Sequence, residues 1–350
     1  MPYPAYQADN QESQGENSMS QLRFGVIGWG YWGPKIARNL NSLLNASVTM
    51  VADADVHRLA QAARDLQDVS TTTSAEEVFR SDVDAVVLAT PVRSHWKLAK
   101  EALLHGKHVL VEKPLTDNVA QAEELVELAH EQRRILMVGH TFEYSPAVNE
   151  LRRLIQAGDL GRIYSVETER VNLGLFRSDI NVIWDLAPHD ISILLYLFGK
   201  APTQVKAQAH AHLQQHIHDI AHLDLAFADG MTSHIHVSWL HPCKIRRVTV
   251  IGDQRMAVYD DTNPAEMIKI YSKGADIHAD PVVSYRHGAI TIPHIDWIEP
   301  LRLECEDFAQ AIRTGTSPRA HGAVGLAVVR VLAAAQEALA VEARQEIVAV

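Results

Sequence analysis

"LRFGVIGWGYWGPKIARNL", Leu22 to Leu40, decides the fold. "LRFGVIG" is an apolar run of strand length, and "PKIARNL" carries apolar residues at helical spacing. Between them stand Gly28, Gly30 and Gly33, a G-x-G-x-x-G run. Gly28 permits a tight turn out of the strand, Gly30 lets a pyrophosphate approach the backbone, and Gly33 lets helix and strand pack closely. Amides at the helix start then face phosphate oxygens, and Pro34 lacks a donor where none is needed. Three glycines alone would also fit an ordinary glycine-rich turn. The strand–loop–helix setting favours a dinucleotide, and so does Asp53, which ends the second strand 20 residues after Gly33. A carboxylate there accepts a ribose 2′-hydroxyl and repels a 2′-phosphate. The expected cofactor is therefore NAD, with NADP the less favoured alternative because Arg58 lies close by. Tyr31 and Trp32, inside the loop, are assigned to the cofactor with the glycines.

Around this stretch, short apolar runs alternate with amphipathic segments as far as His140. "SVTMVAD", "DAVVLAT", "HVLVEKP" and "ILMVG" read as buried strands. "DVHRLAQAARDL", "HWKLAKEALLHG" and "VAQAEELVELAHEQ" read as helices, as does "SAEEVFRS" with a capping box of Ser74 and Glu77. Such alternation means a parallel sheet covered on both faces. Beyond His140 the pattern changes. After two helical segments, "PAVNELRRLIQAG" and "DISILLYLFG", come long alternating strands, with Asp229-Gly230 as a two-residue hairpin turn. Ala275 to Glu299 shows no clear element, and two helices close the chain. The expected fold is α/β: a Rossmann domain over 21–140, then an α+β domain over 141–350 with a large, mostly antiparallel open sheet. Residues 1–20 lack the apolar content to order themselves and are expected to form a floppy tail, with Met19 as an alternative start.

The length of 350 residues exceeds what one core usually supports, in keeping with two domains. A net charge of −11 argues against nucleic acid and against an anionic membrane surface as partners. No apolar run was expected to reach the ~20 residues of a membrane span. Two cysteines, Cys243 and Cys305, are too few for a disulfide framework, so a cytoplasmic location is expected.

Two clusters carry chemistry. "EKP", Glu112 to Pro114, follows a buried strand, and burying Glu112 and Lys113 is costly unless they are paired or used. At the carboxyl end of a parallel strand, Lys113 would face a nicotinamide and a substrate hydroxyl; Glu112 would pair with it or touch the nicotinamide ribose. A solvated ion pair on a surface turn is the plain alternative. "WDLAPHD" places Asp185 and His189 four residues apart, on one face if a helix starts here, with Pro188 in its first turn. His189 is the natural acid/base at neutral pH. Asp185, or less well Asp190, would orient its ring or bond the substrate. An N-cap aspartate beside a packed histidine would look the same in sequence.

"GWGYWG", "ATPVRSH", "VEKPL", "GHTFEYSPA", "DLAPHD" and "EPLRLECEDFAQAIRTG" together resemble the glucose-fructose oxidoreductase / inositol dehydrogenase / MocA family. The resemblance implies hydride transfer at a ring carbon of a sugar or cyclitol, by a homodimer or homotetramer joined through the C-terminal sheet. It implies that Lys113 and His189 flank the reacting hydroxyl, with Asp185 in support, and that Thr90, Pro91 and His95 line the nicotinamide side. Tyr144, Arg170, Asn172, Arg177 and Trp184 are the further substrate candidates. "NVIWD" departs from the glycines many members carry before the aspartate and looks more like members acting on nucleotide-linked sugars, of the UDP-N-acetylglucosamine 3-dehydrogenase and ketoreductase type. An inositol or free-sugar dehydrogenase, or a non-catalytic NAD sensor, are the alternatives. Histidine pairs at period two, His210/His212 and His234/His236, suggest zinc, but no cysteine completes a site, so no metal is expected. Their strand face is expected at a subunit interface.

Overall fold

The computed structural model describes residues 21–277 and 283–342, so the tail expected over 1–20 lies outside the described residues. The chain divides into two units. The first comprises the described residues up to Tyr144 together with Ile298–Val329. The second comprises Ser145–Trp297 and the residues from Arg330 on. The segment 298–329, expected in the second domain, thus groups with the first.

In the first unit β1 (Leu22–Ile27), β2 (Ala46–Ala52), β3 (Ser70–Thr72), β4 (Ala85–Leu88), β5 (His108–Val111) and β6 (Leu136–Val138) form a parallel sheet of order β3-β2-β1-β4-β5-β6. All four residues of β4 are buried, as both-face coverage requires. The connecting helices are α1 (Gly33–Asn41), α2 (Val56–Asp65), α3 (Ala75–Arg80), α4 (Val92–Leu104) and α5 (Val119–Glu131). α1 buries Ile36, Ala37 and Leu40, one stripe at 3–4 residue spacing. α3 does follow Ser74, but no side-chain bond caps it, so the expected capping box is absent; Thr72 holds the Ser74 amide instead. β3, three residues of Ser and Thr with little apolar signal, was invisible in the sequence. After a 3-10 turn at Thr141–Tyr144, the unit resumes with α8 (Pro300–Thr314) and the start of α9 (Gly322–Glu342).

The second unit starts with α6 (Pro146–Gln156), β7 (Ile163–Val171) and α7 (Val182–Phe198). Then follow β8 (Gln204–His210), β9 (Ile220–Ala226), β10 (Thr232–Ser238), β11 (Ile245–Gly252), β12 (Met256–Asp260), β13 (Ile268–Ile277) and β14 (Val283–Thr291). The eight strands run β14-β13-β12-β11-β7-β10-β9-β8, and only β7 and β10 pair in parallel. β14 occupies the stretch expected to be without structure. Its exposed face carries no apolar alternation to betray it. The turn at Asp229-Gly230 spans three residues rather than two: Phe227 and Met231 close it, and Gly230 sits at φ +86°. α7 begins earlier than expected. Asn181 caps it by accepting from the Ile183 and Trp184 amides, which puts Pro188 past the first turn while Asp185 stays within it. Gly322–Leu339 of α9 is, among the described residues, long and apolar enough to cross a membrane, against expectation; Val328, Val329, Leu332 and Ala335 on it are buried in the protein.

Candidate active site

Strand order reverses between β1 and β4, so the ligand crevice of the first unit opens outside the carboxyl ends of those strands. Gly28 stands there at φ +99°, and a Cβ on it would lie 2.5 Å from the Ala89 carbonyl oxygen. A Cβ on Gly33 would lie 2.1 Å from the Gly28 carbonyl oxygen. Gly30 differs. The nearest atom to its Cβ position is Arg58 Nη1, at 3.7 Å, so the space above it is open. A tight turn, a close helix and an open cradle beside the first amides of α1 fit a pyrophosphate. Just beyond β2, the Asp53 carboxylate is pinned by two amides, Trp29 at 2.6 Å and Asp55 at 2.8 Å. Each oxygen keeps a lone pair for a ribose hydroxyl. Arg58 is 3.6 Å from Asp53 and 3.8 Å from Asp55, so its charge is shared with two carboxylates. Tyr31 is exposed, with Lys35 Nζ 3.2 Å from its ring centroid, and Trp32 meets it edge-on at the start of α1.

Thr90 and Pro91 follow β4 beside this loop, and Thr90 accepts a hydrogen bond from Ser94. His95 was expected to line the nicotinamide side. Instead it is buried, with one ring nitrogen against the Thr90 carbonyl at 2.8 Å and the other against the Pro114 carbonyl at 2.9 Å. Burial lowers its pKa. It braces the two loops and leaves no polar ring atom for a cofactor.

Glu112 follows β5 with its carboxyl against Gly139, accepting from the Lys113 amide at 3.3 Å. Burial pushes its pKa up to about 7, opposed by the charge of Lys113. His140 beside β6 is wholly buried, and among the described residues neither ring nitrogen has a hydrogen-bond partner. Burial first and Lys113 second push it down to about 3, so it is neutral. Glu304 enters the same neighbourhood from α8; burial first, then the Glu112 carboxyl, raises its pKa well above the carboxylate range. The sequence reading missed Glu304. The signal was there, a carboxylate between Leu301 and Phe308 on the apolar stripe of its helix. Tyr144, expected to touch substrate, is instead buried: its hydroxyl donates to Asp307 at 2.7 Å and accepts from the Ala320 amide.

In the second unit Asp185 and His189 lie one turn apart on α7. Trp239 donates its indole N–H to Asp185 at 3.0 Å, which anchors the carboxylate from the sheet. His189, Trp184 and Asn172 are half-buried. Arg170 and Asp190 are corrections. Arg170 is 5% exposed and Asp190 1%, and they form a bidentate pair at 2.8 and 3.2 Å. A guanidinium committed to a buried carboxylate cannot be turned to a substrate without stranding that charge. Arg177 also forms a bidentate pair, with Asp179 at 3.0 and 2.8 Å, but on a half-exposed loop.

The histidine face is as expected in outline: Ile235, Val237 and Trp239 are buried, and His234 is exposed. His236 stacks on His222, its partner across β9, at 4.3 Å between ring centroids. Carboxylates join the row: Asp224 lies 2.6 Å from His234, and Glu169 lies 3.7 Å from His236.

Residues 22–140 match the model of the oxidoreductase family with an NAD-binding Rossmann fold, and residues 148–258 match the GFO/IDH/MocA C-terminal domain. The chain belongs to the GFO/IDH/MocA family, and it is an NAD-binding oxidoreductase. It is 32% identical over 327 residues to a UDP-N-acetylglucosamine 3-dehydrogenase of Acidithiobacillus ferrooxidans, covering 93% of this chain and 99% of the relative. A solved structure of that enzyme aligns with a TM-score of 0.80 at 28% identity, over 93% of this chain and all of the other. It is also 34% identical over 197 residues to an inositol 2-dehydrogenase of Saccharopolyspora erythraea, covering 55% of this chain and 58% of that one.

Gly30→Ala has room for its methyl group, so it should fold normally yet bind NADH at least ~10-fold more weakly. Calorimetry showing unchanged affinity would count against the cradle. Glu304→Gln tests the buried acid. A raised folded-state pKa means the native protein holds its proton longer, so stability falls as pH climbs above the unfolded value near 4.5. The variant should gain at least ~2 °C in Tm at pH 8 and less at pH 5; equal shifts at both would refute the buried-acid account.

Proposed function

We propose that this oxidoreductase acts on a ring CH–OH of a nucleotide-linked sugar, of the UDP-N-acetylhexosamine class, or on the corresponding ketone. The observation that carries the reading is the similarity along essentially the whole length to the UDP-N-acetylglucosamine 3-dehydrogenase. Lys113 follows β5 at the carboxyl edge of the parallel sheet, a position suited to ligands, and Asp185 lies in the first turn of α7 with His189 one turn further on.

In this reading Lys113 and His189 both serve the reacting hydroxyl. Bound NAD supplies the hydride acceptor. His189 takes the hydroxyl proton as the carbon–hydrogen bond breaks and the carbonyl forms. Lys113 donates to the same oxygen and stabilises the negative charge that develops on it. Asp185, held by Trp239, fixes the imidazole and offsets its positive charge. In the reverse direction His189 returns the proton to the ketone oxygen. Asn172, Trp184 and Arg177 shape the sugar side, and Thr90, Pro91 and Glu112 border the nicotinamide. An inositol or free-sugar substrate is the second reading, favoured by the inositol dehydrogenase similarity. The proposal includes a cytoplasmic homodimer or homotetramer joined through the eight-stranded sheet. The absence of a disulfide among the described cysteines and the half-exposed histidine row of that sheet support it.

Purified protein offered UDP- and dTDP-sugars, inositols and free sugars should form NADH with a UDP-sugar. Turnover with inositol alone would select the second reading. Lys113→Ala should cut kcat by at least ~100-fold with NADH affinity nearly intact; full activity would remove Lys113 from the chemistry. The interface is sensitive to acid. Burial first, then the neighbouring His222, lowers the pKa of His236, with Glu169 opposing and His241 adding a little. A depressed folded-state value means stability present above the unfolded pKa near 6.5 is lost as pH falls through the folded one. Light scattering should give a smaller particle at about pH 5.5 than at about pH 8.

A further inference from the structure

A second cavity lies within the first unit, at the opposite end of the parallel sheet from the glycine loop. It has a volume of about 250 Å³. It opens where β5 and β6 begin, between the end of α5 and the segment joining α8 to α9. Its floor is apolar: Val126, Ala129, Ile135, Leu136 and Pro318. Its polar wall is mostly basic, with Ser317 beside it. Arg133, Arg134, His108, His130 and His321 line it, and no carboxylate does, in a chain whose net charge is −11. His108 accepts the Ile135 amide at Nδ1, so its proton sits on Nε2. The Ala129 and His130 carbonyls are taken by the Arg134 and Arg133 amides, and Arg134 Nε donates to the Gly106 carbonyl at 2.5 Å.

We infer that this cavity binds a small organic anion, a phosphate monoester or carboxylate on a compact apolar body. Arg133, with the Arg134 donors that Gly106 leaves over, would meet the anionic group, and the apolar floor would take the rest. The cationic cluster and the cavity carry the inference, independently of the substrate assigned above.

The test uses the full chain saturated with NADH, so that the glycine loop is filled. Phenyl phosphate, benzoate, inorganic phosphate and neutral benzyl alcohol are titrated by calorimetry at constant ionic strength. Phenyl phosphate or benzoate should bind saturably at one site, with phosphate or carboxylate chemistry distinguished by which is tighter. Benzyl alcohol should not bind. Two variants probe the wall. Arg133→Asn keeps a residue tolerant of the positive φ found there, and Ala323→Asp puts a carboxylate into the first turn of α9, where helices accept one. Each should weaken binding at least ~10-fold with NADH affinity unchanged. No saturable binding, undiminished binding by both variants, or inorganic phosphate as tight as phenyl phosphate would overturn the inference.

Discussion

Three pieces of backbone crowd together at the end of β1, and the cofactor half of the molecule depends on that crowding. The Gly28 carbonyl occupies the place where a side chain on Gly33 would begin, and the Ala89 carbonyl occupies the place where one on Gly28 would. Helix α1 can therefore start against the sheet at the point where strand order reverses. That start lies at the carboxyl edge of the sheet, where a parallel sheet leaves a crevice for a ligand. Asp53 closes the arrangement from the second strand by holding the Trp29 amide within the loop.

A second constraint runs through the buried charges. Glu112, Glu304 and His140 are all buried in the first unit, and burial is the largest influence on each. Each is driven toward its neutral form, which leaves Lys113 as the formal charge that perturbs both Glu112 and His140. The neighbourhood of the E-K-P motif is thus kept poor in charge around one lysine, a setting in which an ammonium group acts strongly on a nearby oxygen. The second unit buries a carboxylate differently, with Arg170 paired to Asp190. There burial again raises the pKa of the acid, Asp190, but a bidentate Arg170 guanidinium opposes it.

Much of this was legible in the sequence. Buried strands such as "AVVL" and "HVLV" read as continuous apolar runs, and strands of the open sheet read as alternation, because burial on two faces or one leaves those signatures. β3 and β14 were not legible, since a short polar strand and an exposed edge strand bury too little to leave a pattern. Among the candidate site residues, the glycines and Asp53 stood out by their spacing, and Lys113, Asp185 and His189 by their residue types at the place the local pattern put them. Tyr144, His95 and Arg170 were read as ligand contacts from their motifs. The partners of Tyr144 and Arg170, Asp307 and Asp190, and the Pro114 carbonyl against His95 lie 19 or more residues away, where no local pattern reveals them.

The sequence by itself determined the alternation of strands and helices, the glycine loop, the acidic residue that follows it and the reactive residue types. Those follow from backbone sterics and from the periodicity of burial, both local properties. Only the tertiary structure decided that 298–329 joins the first unit, that Glu304 stands near Glu112, and that Arg170 is spent on Asp190. A side chain's ionisation and its partner depend on what surrounds it in three dimensions, and burial and neighbouring charge are sums over residues that the chain brings together only when folded.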